Sequence, residues 1–147
     1  GSEMCIRDRA GKVLPEAFTC FTLSLDNLSE LTKRFGYTVG DGVLKDFAGL
    51  VQLMGDTEGM RGYNGIGRFV VFFEECSSKK AAAMIRILDN QVEEYNSLNP
   101  EYPIRYTAAW ATTEETDTYE IRELLRLSQK KWKQMEKEKK DKTEEET

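Results

Sequence analysis

Histidine is absent from all 147 residues. That excludes a Ser-His-Asp triad, a Cys-His dyad, an imidazole proton shuttle and any zinc site built on imidazole. Cys5, Cys20 and Cys76 are odd in number, far apart and in no Cys-x-x-Cys arrangement. They argue against a disulfide framework or structural metal and for a reducing, cytoplasmic setting. Chemistry is left to carboxylates, hydroxyls and guanidinium groups. Asp26 follows Ser24 by two residues in a strand-like run, so the two side chains share a face. The same aspartate stands before a helical pattern, where it would equally serve as a cap. Asp41 lies between Gly40 and Gly42 where a second helix opens. Arg68 ends the turn Gly65-Ile66-Gly67-Arg68 and leads into an apolar strand.

The elements that must position these residues follow from periodicity. Phe18 to Leu25 alternates Phe21, Leu23 and Leu25 on one face and reads as a strand. Asn27 with Glu30 fits a capping box, opening a short helix through Leu28, Leu31 and Phe35 that Gly36 ends. Gly40-Asp41-Gly42 opens a helix with Val43, Leu44, Phe47, Val51 and Met54 at helical spacing, stopped by Gly55. Residues 61–75 read as a hairpin whose wholly apolar second strand, Phe69 to Phe73, is central. Ser77 or Ser78 caps a helix carrying Ile85, Leu88, Val92 and Tyr95, which Asn99-Pro100 breaks before the strand Ile104, Tyr106, Ala108, Trp110. The last helix carries Ile121, Leu124, Leu125, Ser128, Trp132 and Met135. The order is βααββαβα, an α+β fold with helices layered on one face of a mainly antiparallel sheet, resembling a ferredoxin-like, palm-type outline. Phe72, Phe73, Tyr106 and Trp110 sit on apolar strands and read as core rather than as base-stacking platforms.

Composition bounds the rest. With 39% hydrophobic and 32% charged residues the chain supports one core and one domain. A net charge of -5 leaves no broad basic face for phosphate backbones, so nucleic acid is not expected as a partner. No apolar run approaches the ~20 residues of a membrane span. Residues 1–15 read as a cloning remnant and uncertain leader, 16–140 as the domain, and 141–147 as a charged, disordered tail. Lys130 to Thr147 holds seven Lys against six acidic residues, a composition in which the helix should fray.

The turns resemble one family. Leu23-Ser24-Leu25-Asp26-Asn27-Leu28, Phe35-Gly36-Tyr37-Thr38-Val39-Gly40-Asp41-Gly42-Val43-Leu44 and Gly65-Ile66-Gly67-Arg68-Phe69-Val70 are similar, in order and spacing, to the GGDEF domain of diguanylate cyclases. Val92 to Asn96, Tyr102-Pro103-Ile104, Thr107 to Ala111 and Ile121 to Leu125 resemble its later elements. The likeness runs from about Phe18 to about Lys140.

The resemblance implies two GTP molecules condensed across a dimer into cyclic di-GMP, with magnesium held by three acidic positions. Those positions read Ser24, Gly67 and Arg68 here, so no catalytic residue is expected. No metal or cofactor is expected either, with Asp26 the one metal candidate. The nucleotide-binding candidates are Asp26, Asn27, Leu28, Thr32, Gly40, Asp41, Gly65 and Arg68. Asp41 matches the guanine-reading aspartate and is also a helix cap. Thr32 stands where the family reads guanine with asparagine, and its lone hydroxyl lacks the paired contacts of an amide. Arg68 either covers the sheet with its stem or holds phosphate in the metal's stead. Leu25-Asp26-Asn27 and Arg68-Phe69 resemble the degenerate GGDEF-like domains of cyclic di-AMP phosphodiesterases.

The Arg-x-x-Asp product-inhibition signature is missing from Gly55 to Tyr63. In the final helix, Glu136 replaces the phosphate-meeting lysine, with Lys133 and Lys137 nearby. The expected function is a catalytically silent regulatory module of a bacterial cyclic-nucleotide signalling protein. It would bind GTP, ATP or a cyclic dinucleotide, or contact a second copy, a sensor domain or another protein. The alternatives are an active cyclase or triphosphatase with magnesium in a rearranged site from Asp26, Asp41 or Glu74, and a nucleotide-independent dimerisation scaffold.

Overall fold

The computed structural model describes residues 5–7, 13–15, 17–54, 60–63, 67–116 and 120–145. Its elements are β1 (Cys5–Arg7), β2 (Val13–Pro15), β3 (Thr19–Leu25), α1 (Leu28–Phe35), α2 (Tyr37–Gln52), β4 (Met60–Tyr63), β5 (Arg68–Phe73), α3 (Ser78–Leu98), β6 (Tyr106–Thr112) and α4 (Ile121–Glu145). From β3 onward this is the expected βααββαβα order. β1 and β2 pair antiparallel as a separate two-stranded sheet. The main sheet has the order β4-β5-β3-β6, antiparallel at every neighbour, with β3 and β5 inside.

The pleat of β3 explains the layering. Phe21, Leu23 and Leu25 join Phe69 and Val71 of β5 and Ala108 of β6 under the buried residues of α1, α2 and α3. Phe21 packs edge-on to Phe73 and tilted to Trp110, and Phe47 packs against Phe69 and Tyr106, so these aromatics are core. Cys20, Thr22 and Ser24 point to the opposite face, where α4 lies. Cys20 clusters with Leu124, and Thr22 Oγ1 lies 2.8 Å from Ser128 Oγ. The expectation of helices on one face is therefore corrected: among the described residues α4 alone covers the second face. The even positions of β3 are the reason, because they are as buried as the odd ones.

Three helix ends also differ. α2 begins at Tyr37 rather than Gly40, because Gly36, at φ 96°, makes the whole break between α1 and α2. Asn27 precedes α1 but makes no side-chain cap bond, so the capping box is absent. Its amide instead spans the α3–β6 connection, donating to Pro103 O (2.7 Å) and accepting from Arg105 N (3.2 Å). α4 continues to Glu145, through the segment expected to fray and past residue 141, where a disordered tail is expected. Ser77 does cap α3, accepting from Lys80 N, and Asn99 ends it. Gly55 and the rest of the missing product-inhibition stretch up to Gly59 lie outside the described residues, as does Gly65.

Candidate functional site

The register of the sheet assembles the site. Ser24, near the end of β3, faces Arg68 on β5 and Thr107 on β6. All three point to the α4 face by strand alternation. Trp132, buried on α4, donates from its indole Nε1 to Ser24 Oγ at 2.8 Å. The Arg68 guanidinium lies over the same indole ring, 4.6 Å from its centroid. Ser24 passes the bond on, donating to Asp26 Oδ1 at 2.7 Å, while Thr107 Oγ1 donates to Asp26 Oδ2 at 2.5 Å.

One turn and two turns beyond Trp132, α4 supplies Glu136 and Lys139. The Lys139 ammonium donates to Thr107 Oγ1 (2.5 Å) and to the Tyr106 carbonyl (2.8 Å), and pairs with Asp26 Oδ2 at 3.6 Å. Burial raises the pKa of the Glu136 carboxyl, and the facing Asp26 carboxylate adds to this against the opposing pull of Thr107 and Lys139. Asp26, Arg105, Tyr106, Glu136, Lys137, Lys139 and Lys140 line an open cavity of about 800 Å³. Four of these seven are cations, which suits an anionic ligand. On the other side of Asp26 a shallower hollow of about 590 Å³ is lined by Ser29, Glu30, Lys33 and Arg34.

The sequence candidates separate accordingly. Asp26 is central, but as an acceptor of two hydroxyls and partner of a lysine; the capping role is corrected, because no α1 amide bonds to it. Asn27 is 6% exposed and committed to the α3–β6 connection, and Leu28 packs against the core. Thr32 lies against Gly40, where an added Cβ would stand 2.3 Å from Thr32 Oγ1, so both residues serve the α1–α2 contact. Asp41 is the fifth residue of α2 and pairs with Lys45 at 3.0 Å, so it does not open the helix. Arg68 covers the sheet as a stacked side chain; stacking on a ring face still leaves the edge donors of a guanidinium free to bond. Glu74 lies just past the far end of β5, on the order of 20 Å of strand from Arg68, and is corrected as a site residue.

Thr107, Arg105 and Lys139 are site residues that sequence reasoning missed. For Lys139 a signal existed: Trp132, Glu136 and Lys139 share one face of a helix by their 4 and 3 spacing. Tyr106 was read only as core, and its hydroxyl does turn away to Asp89.

A hard divalent cation meets a poor donor set here. Of the three expected carboxylate positions one is a serine bonded to an indole, one is a glycine, and one is a guanidinium stacked on that indole. Of the two carboxylates beside them, Asp26 already carries a lysine, and burial holds Glu136 toward its protonated form. Among the described residues no three acidic, cysteine or histidine side chains converge as a metal site. No helix of the described residues is long and apolar enough to cross a membrane.

A family model described as "Diguanylate cyclase, GGDEF domain" matches residues 8–142, taking in 8–15, which the sequence reading sets aside. No curated protein sequence matches the chain. Among solved structures, the active GGEEF domain of a diguanylate cyclase from Vibrio cholerae superposes with a TM-score of 0.73 at 19% identity, covering 84% of this chain and 78% of that one. The FimX GGDEF domain from Pseudomonas aeruginosa gives 0.63 at 17% identity, covering 79% and 72%. A microbial GGDEF domain described for its interaction with cyclic di-GMP gives 0.58 at 25% identity, covering 76% and 67%.

Proposed function

Because the chain belongs to the GGDEF family of diguanylate cyclase domains, we propose that it is a catalytically silent member. It acts as a nucleotide-binding regulatory module of a cyclic di-GMP signalling protein. One observation carries this reading: the Trp132 indole stands between Ser24 and Arg68 and uses both, at positions where an active member needs carboxylates toward metal. A cyclase uses metal ions to neutralise the triphosphate and activate a 3′-hydroxyl, and these three positions carry no carboxylate to hold them.

Binding has better support. Lys139, Lys137, Lys140 and Arg105 surround the cavity beside Asp26 and present fixed positive charge to phosphate oxygens without a metal.

The test is calorimetry with GTP, ATP and cyclic di-GMP, each with and without magnesium, beside a cyclase assay. Heat that does not depend on magnesium, weakened about tenfold or more in Lys139→Ala, is expected. Magnesium-dependent formation of cyclic di-GMP above a no-enzyme blank would overturn the silent reading. Absence of heat with every nucleotide would leave a dimerisation or protein-contact scaffold instead.

A further inference from the structure

The chain is acidic, but its charge is not spread evenly. Residues 121–142 carry nine Lys and Arg against four acidic residues, a local balance of +5, so the rest of the chain carries -10. Six of the nine, Arg122, Arg126, Lys130, Lys133, Lys137 and Lys140, recur at spacings of 4, 4, 3, 4 and 3. At 100° per residue they fall within about 80° of arc, in a line about 27 Å long on a helix rising 1.5 Å per residue. All six are exposed. Among the described residues Arg126 alone of the six has an ion-pair partner, Glu123 at 3.5 Å on its own helix.

Tertiary structure makes this stripe a ridge. The opposite side of α4, with Leu124, Ser128 and Trp132, is buried on the sheet, and among the described residues α4 is the single helix on that face. Its cationic side is therefore the outermost feature there. The exposed acids Asp46 of α2 and Asp89, Glu93 and Glu94 of α3 lie beyond the sheet, on the order of 20 Å away. That exceeds two Debye lengths of about 8 Å at physiological salt.

We propose that this ridge is a docking surface for an anionic lipid bilayer. A plane tangent to α4 meets all six cations at once and keeps the acidic α2–α3 face away from the lipid. A groove that wrapped around the helix would also meet Glu123, Glu136 and Asp141 on its flanks, which disfavours duplex nucleic acid. Ile121 and Met135 lie far from the ridge on the helical wheel, so docking is peripheral and electrostatic, as for other helices bearing four to eight Lys or Arg. Lys137 and Lys140 also line the nucleotide cavity, but Arg122, Arg126, Lys130 and Lys133 do not, so changing these four tests the ridge apart from the nucleotide reading.

The test is co-sedimentation of the full chain with phosphatidylcholine vesicles, with and without phosphatidylglycerol, at low and physiological salt. Binding only to the anionic vesicles, weakening as salt rises, is expected. Replacing Arg122, Arg126, Lys130 and Lys133 together by Gln should lower it by about three orders of magnitude at low salt, with the thermal melt unchanged. A matched variant with Lys45, Lys79, Lys80 and Arg86 changed to Gln removes the same charge from the far side and should bind as the original does. No binding to anionic vesicles at low salt, equal loss in both variants, or binding to duplex DNA in preference to vesicles would each overturn the proposal.

Discussion

At the scale of residues, the site is a chain of bonds from Trp132 through Ser24 to Asp26, closed by Thr107 and Lys139. Ser24 both accepts and donates, a role that a hydroxyl fills and a carboxylate does not. Glu136 is the titratable member whose behaviour is most exposed to test. Its pKa is raised in the folded chain by burial and by Asp26, so the folded state holds more protons above the ordinary glutamate range. Stability must then fall as pH rises through that window. Glu136→Gln, neutral throughout, is expected to flatten this fall and to leave acid stability unchanged, as read by urea melts from mildly acidic to neutral pH. An undiminished slope would assign the dependence to other groups. The Cys20 and Cys76 thiols stay protonated near neutrality, since burial pushes Cys20 up to about 11 and raises Cys76 too.

At the scale of elements, the hairpin and the long last helix decide the site. Gly67 stands at φ 83° at the entry to β5, where its carbonyl accepts the Leu25 amide at 2.8 Å. A Cβ there would lie 3.3 Å from Leu28 Cδ2 and 3.4 Å from Leu25 O. Gly67→Ala is expected to cost about 1–2 kcal/mol, seen as a lower denaturation midpoint with an unchanged slope. Gly67→Asp, needed to restore the family's acidic pattern, carries the same strain, so lost ligands are not the sole barrier to recovering a metal site. The helices around Leu31, Phe47, Leu88 and Leu124 were legible because their apolar residues recur at helical spacing. The start of α2 was not, because a glycine at positive φ inside an unbroken helical pattern ends one helix and begins the next without a polar cap. The reach of α4 was hidden for a related reason: Lys and Glu are good helix formers, and Trp132 and Lys139 tie to the sheet a segment whose composition suggests fraying.

At the scale of the whole molecule, the sheet is covered on both faces, and one helix both closes the site and carries the positive ridge. Trp132 couples these roles, being 8% exposed and bonded to the sheet. Trp132→Ala is expected to cost about 3–5 kcal/mol in thermal or urea unfolding. A loss below 1 kcal/mol would mean that α4 is held mainly by Leu124 and Ser128. By itself the sequence determined the family, the order of elements and the core, since periodicity and local turn chemistry carry that information along the chain. Only tertiary structure decided that α4 lies on the second face. It alone showed that Asp26 is bonded to Thr107 and Lys139 rather than capping a helix. Those outcomes join residues about 80 to 115 positions apart, and such contacts are set by strand register and helix packing, which no local pattern encodes.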